Sequence, residues 1–175
     1  RYVPLDDLTP LIKDSDEAVR RAVAYRLPRD QLIQLIHDED REVRITVADR
    51  IPLEQLEQMA ADRDYLVRAY VVQRLPEGRL FRFIRDDDRQ VRKLVAKRLP
   101  GESLVLMAHD PEPEIRRIVA SRLSGDDVRI MLEDPDWTVR LEAVANAPQD
   151  ALEQMLEDED SEVREAVAER LKTEV

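Results

Sequence analysis

A Val-Arg pair returns every 24 residues along this chain, at Val19-Arg20, Val43-Arg44, Val67-Arg68, Val91-Arg92, Val139-Arg140 and Val163-Arg164, and Ile115-Arg116 fills the one gap. No insertion interrupts the step. Five residues before each pair stands an Asp, three before it a second acid, and seven after the Val an Arg that only Asn146 replaces. A Pro follows two positions later at Pro28, Pro52, Pro76, Pro100 and Pro148. A fixed period of this length is the signature of a repeat array rather than of a single irregular core. Repeats begin near residues 14, 38, 62, 86, 110, 134 and 158, and residues 1–13 fit the second half of one more, so 1–175 read as a single solenoid domain.

Each repeat holds two short segments. In the first, Val19, Val23 and Leu27 recur at helical spacing behind an acid suited to cap the N-terminus. The Pro ends it, because the residue before a proline leaves the α region. The second segment carries Leu32, Leu35 and Ile36 or their equivalents, and its three-residue spacing suits a 3₁₀ turn as well as an α turn. Period-two alternation is absent, and so is the L-x-L with recurrent Asn of ordinary leucine-rich repeats. The unit is also short for the roughly 40 residues of HEAT or armadillo repeats. Two such short helices cannot bury a core alone, so neighbouring repeats must stack. Val19, Val43, Val67, Val91, Ile115, Val139 and Val163 are expected to form one buried row.

The full motif, D-x-D-x-x-V-R-x-x-V-A-x-R-L-P-x-x-x-L-x-x-L, is nearly whole in 14–35 and 86–107. In this it resembles the leucine-rich repeat variant family. The resemblance implies an all-α, right-handed superhelix of alternating α and 3₁₀ helices without β-sheet. It also implies that an N-terminal domain can carry a 4Fe-4S cluster on cysteines. This chain has no Cys, so no such cofactor is expected on these residues, and a cluster would belong to a segment outside them.

The recurrent Arg lies at the edge of the apolar arc, where an unpaired charge would be very costly. Arg20, Arg44, Arg68, Arg92, Arg116, Arg140 and Arg164 are therefore expected to form a structural ladder with Asp14, Asp38, Asp62, Asp86, Asp110, Asp134 and Asp158. The second acid, four residues before the Arg as in Asp16–Arg20, is a competing partner. Arg26 and its equivalents sit where cations cap exposed carbonyls at a helix C-terminus. The D-x-D pairs lack the Gly and terminal Glu of a calcium loop, so no metal site is expected. His37 and His109 have no nucleophile beside them, and nothing suggests an enzyme.

Function in such an array belongs to the positions that vary. Two before, two after and six after each Val lie together on the outer helical face and include Tyr65, Arg89, Lys93, Lys97 and Trp137. With Arg79, Arg82 and Arg85 on the short segment before them, these are the candidate partner-binding residues. Residues 62–109 carry a net +4 and residues 110–175 a net −11, which is also the total for the chain. The acidic total argues against nucleic-acid binding, leaving weak nucleic-acid or phosphate binding through the central basic belt as a third reading. The first is a non-catalytic protein-interaction scaffold with an unknown protein partner. The second is the repeat portion of a redox-linked iron–sulfur protein. No apolar run reaches the ~20 residues that span a bilayer, and absent cysteines suit a reducing, cytoplasmic setting. Tyr2, Val3, Leu5 and Leu8 begin a repeat that lacks its first helix, so a covering segment upstream is expected.

Overall fold

A computed structural model describes residue 4 and residues 8–173, and the expectations on Tyr2, Val3 and Leu5 fall outside these. The described residues are helical without a strand. Their packing divides the chain into two compact units, Arg1–Arg79 and Leu80–Val175.

In the first unit a 3₁₀ helix (Thr9–Lys13) packs on α1 (Glu17–Arg26), α1 packs on α2 (Arg41–Arg50), and α2 packs on α4 (Tyr65–Arg74). Between them run a 3₁₀ helix, Arg29–Leu35, and a mixed segment formed by α3 (Leu53–Leu56) and a 3₁₀ turn, Glu57–Met59. In the second unit α5 (Arg89–Arg98) packs on α6 (Pro113–Arg122), α6 on α7 (Trp137–Val144), and α7 on α9 (Ser161–Thr173). Here the second segments are Gly101–Met107 and Gly125–Glu133, both 3₁₀, and then α8 (Gln149–Gln154). A further 3₁₀ helix covers Glu77–Phe83.

Both acids of the D-x-D pair act before each helix begins. The second is the N-cap: Asp16, Asp64, Asp88 and Asp136 each accept from the amide two residues on, at 2.7–2.9 Å. Asp40 accepts from the amide of Val43 at 3.0 Å. Glu112 makes no such bond, and Pro113 takes the first helical position, where a missing N–H costs nothing. The first acid closes the turn, as where Asp14 Oδ1 accepts from the Asp16 amide at 2.9 Å. At the other end Leu27, with φ −56° and ψ 140°, carries the chain out of the helix ahead of Pro28.

Gly78, Gly101 and Gly125, poor helix formers, stand near the starts of three of the 3₁₀ segments, whereas α3 begins on the strong helix formers Leu53-Glu54-Gln55. An Asp at the second position does not decide the form, since Asp30 begins a 3₁₀ helix and its counterpart Asp150 an α-helix. Among the described residues Gly125 alone has positive φ, 60°, where Ser124 has replaced the proline. A side chain there would strain the backbone.

In each unit the expected core positions are buried from Val43 onward: Val43, Val67, Val91, Val139 and Val163 have no exposed surface, and Ile115 almost none. Val19 departs from the expectation and is only half-buried. It lines a shallow apolar cleft with Leu8, Leu11, Ala18 and Ala22.

Candidate interaction surface

The recurrent charges are absorbed by the stack. Arg20 donates from Nε to Asp38 Oδ2 at 2.8 Å, and Arg44 does the same to Asp62. In the second unit Arg92 pairs with Asp110, Arg116 with Asp134 and Arg140 with Asp158, at 2.7–2.9 Å. Every pair is two-pronged, with Nη2 reaching the second carboxylate oxygen. The partner is thus the first acid of the following repeat. Asp16, the local alternative for Arg20, is occupied as the N-cap instead.

The remaining nitrogen, Nη1, donates to the carbonyl of the same repeat's first acid, as in Arg92 to Asp86 O at 2.8 Å. Arg68 Nη1 meets Asp62 O at 2.8 Å, and Arg164 Nη1 meets Asp158 O at 2.5 Å. Asp86 Oδ1 accepts the Asp88 amide at 2.9 Å. Arg20, Arg44, Arg92, Arg116 and Arg140 therefore each tie three places together: their own helix, the turn before it and the turn of the next layer. The hydrogen bond to Asp38 and its field raise the pKa of Arg20, and Asp158 raises that of Arg140 in the same way, both against burial. Burial pushes Asp158 up, but the Arg140 hydrogen bond and the Asp160 amide outweigh it and hold the carboxyl below its usual range.

The helix-end Arg also works across layers. Arg74 donates to Ala48 O at 2.6 Å and Ile51 O at 2.8 Å, carbonyls at the end of the preceding α-helix. Arg50 does so to Ala24 and Leu27, Arg122 to Ala96 at 2.7 Å, and Arg170 to Val144. Its own helix is not the one it caps. Where Asn146 replaces this Arg, its shorter amide reaches Ser121 O at 3.0 Å, and α7 stops two residues early.

The positions left for a partner are those that vary. Tyr65 and Trp137, the first residues of α4 and α7, are 38% and 39% exposed. Ala69 was expected on the same outer face but is buried. Of the basic candidates, Arg79 pairs with Glu57 at 3.2 Å, and Arg82 lies 5.8 Å from the ring centre of Phe83. Arg82 and Arg85 belong to the 3₁₀ segment and its loop, while Arg89, Lys93 and Lys97 lie along α5, so the structure sets them on different elements. Lys93 is paired with Glu114 of α6. Arg85, Arg89 and Lys97 make no ion pair among the described residues.

Reading the sequence missed two features. Phe81, Leu106 and Ile130 are exposed on successive second segments, and the signal was apolar residues where other repeats carry polar ones, Gln34, Gln58 and Gln154 for Leu106 and Ile130, and Glu57 and Glu153 for Phe81. It also missed Glu114 and Glu142, which with the outer-face residue Arg117 join the α5 bases around one shallow basin. A cleft of about 380 Å³ beside Arg44 and Asp62 recurs 48 residues on, beside Arg92 and Asp110, at about 520 Å³. His37 lines the first and His109 the second, but at non-equivalent places: the counterpart of His37 is Arg85 and that of His109 is Ala61. Among the described residues no group of three His, Cys, Asp or Glu side chains could hold a metal ion, and no helix is long and apolar enough to cross a membrane.

Comparison with known proteins agrees with this geometry. A sequence model of the family described as "Leucine rich repeat variant" matches residues 17–40, 41–64, 89–112 and 137–160. A solved structure described as "A leucine-rich repeat variant with a novel repetitive protein structural motif" shares 75% identity at a TM-score of 0.90, covering 98% of this chain and 73% of that one. A crystal structure of an engineered protein aligns over 98% of this chain and 96% of its own at 17% identity and a TM-score of 0.38, too slight a likeness to bear on the fold. No curated protein matches.

Proposed function

The chain belongs to the leucine-rich repeat variant family, a repeat fold rather than an enzyme class, and from that premise we propose that it is a non-catalytic scaffold that holds a partner protein on the variable outer face of its α-helices. One observation carries the proposal. The repeated charges are consumed within the fold as turn closures, N-caps, ladder pairs and carbonyl caps. The non-repeating residues Tyr65, Arg89, Lys97 and Trp137 stand exposed on the helices. Exposed aromatic and basic side chains are the types that dominate interface energetics. Cross-linking of the chain in a native extract tests this. Cross-links should gather at the outer-face positions, and Tyr65→Ala with Trp137→Ala should remove them. Cross-links spread evenly over all faces, or unchanged in the variants, would overturn the reading.

The redox-linked alternative cannot rest on these residues. Thiolate-held clusters need cysteines, and the chain has none, so any cluster would be held by residues beyond these 175.

A further inference from the structure

The basin across α5, α6 and α7 has an unbalanced charge. It is a depression of about 360 Å³ lined by Lys93, Lys97, Glu114, Arg117 and Glu142, with Ile118 as its apolar floor. Lys93 is paired with Glu114, and Arg117 lies 3.9 Å from Glu142. Lys97 and, one turn before Lys93, Arg89 make no ion pair among the described residues. The Lys93 hydrogen bond holds the Glu114 carboxyl below its usual range, and the fields of Arg89 and Lys97 add to the effect. Lys93 is spent on Glu114 and Arg117 faces Glu142, which leaves Lys97 in the basin and Arg89 one turn before Lys93 as two positive charges without a paired carboxylate among the described residues. Glu114 already occupies the place that an external carboxylate would take.

We propose that this basin receives an acidic segment of a partner protein, whose carboxylates meet Arg89 and Lys97 and whose apolar side chain rests on Ile118. This rests on the scaffold reading above and gives it a partner chemistry. A peptide fits the charge count better than a nucleic acid does. Two spare cations match two carboxylates, whereas a DNA-binding surface commonly neutralises about six to ten phosphates. Residues 110–175, which include α6 and α7 of the basin, carry a net −11, which disfavours a long polyanion more than a short segment with two carboxylates. Because the charges are at the surface, they should set the association rate and salt dependence more than the tightness.

The test titrates the whole chain by fluorescence anisotropy with two labelled probes: an otherwise neutral eight-residue peptide with two glutamates flanking a central leucine, and an eight-nucleotide thymidine oligonucleotide. The peptide should bind, more weakly as salt rises. Arg89→Glu with Lys97→Glu should lower its affinity at least about tenfold without moving the melting temperature, since neither side chain holds the fold. Glu114→Gln should raise the affinity severalfold by removing the resident carboxylate and freeing Lys93, an effect that a purely apolar docking site would not show. No peptide binding, equal binding by all variants, or tighter binding of the oligonucleotide would overturn the assignment. Should the peptide fail while Tyr65 and Trp137 still govern cross-linking, this assignment falls and the scaffold reading stands.

Discussion

Replacing Arg92 with Ala should cost the second unit more than any surface change. Arg92 is 8% exposed, and Asp110 opposite it 7%. Truncation removes donors to Asp110 Oδ2 at 2.8 Å, Asp110 Oδ1 at 3.3 Å, Asp86 O at 2.8 Å and Asp87 O at 3.3 Å. Asp110 then keeps the Glu112 amide at 3.0 Å as its side-chain partner. Removing one member of a buried ion pair costs about 3–5 kcal/mol, most of it from the charge left behind. With a urea slope of about 2 kcal/mol/M, the unfolding midpoint should fall by about 1.5–2.5 M. Lys97→Ala on the same helix, with no ion pair to lose, should stay within ~0.5 kcal/mol. Adding Asp110→Asn to Arg92→Ala should recover part of the loss, because the amide oxygen still accepts from Glu112 while the stranded charge disappears. Equal midpoints for Arg92→Ala and Lys97→Ala, or a double variant less stable than the single, would refute the reasoning.

Gly125→Ala should destabilise by about 1–2 kcal/mol, because φ is 60° there. Gly101→Ala, with negative φ and open space around its Cα, should stabilise by about 0.4–1 kcal/mol, and paired thermal melts would expose any reversal of that order. Asp40, hydrogen-bonded by Arg21, has its pKa lowered to about 2, against about 3.9 in an unfolded chain. Its contribution is therefore complete above about pH 4 and lost as pH falls through about 2; Arg21→Ala should flatten that stretch of the stability–pH curve, and an unchanged curve would count against the pair. Asn146→Arg should restore a charged cap to the α6 carbonyls and raise stability by roughly 0.3–1 kcal/mol, a gain that urea unfolding would detect and whose absence would tell against the cross-layer cap.

How legible this protein is in its sequence depends on the range of the interaction concerned. The 24-residue period, the helix starts at the second acid and the stops before proline are local, so residue spacing alone determined them. So was the need to stack, since Val43 and Val47 leave an apolar stripe that a short helix cannot cover by itself. The basic face of Arg89, Lys93 and Lys97 could likewise be read from helical spacing. Which acid meets which Arg could not. Asp16 is nearer to Arg20 in sequence, yet Asp38 wins, because the next layer brings its carboxylate edge-on to the guanidinium fork while Asp16 is needed by an orphan amide of its own helix. The same geometry turned the helix-end Arg toward the preceding helix and set Glu114, 21 residues away, among the α5 bases. The second segments lie between these cases: their Leu-x-x-Leu spacing suits both forms, and equivalent starts at Asp30 and Asp150 end as 3₁₀ and α respectively. Sequence therefore determined the repeating unit and its demand for neighbours, and only the tertiary structure decided the partners, because those are set by the distance and angle between layers that no single repeat contains.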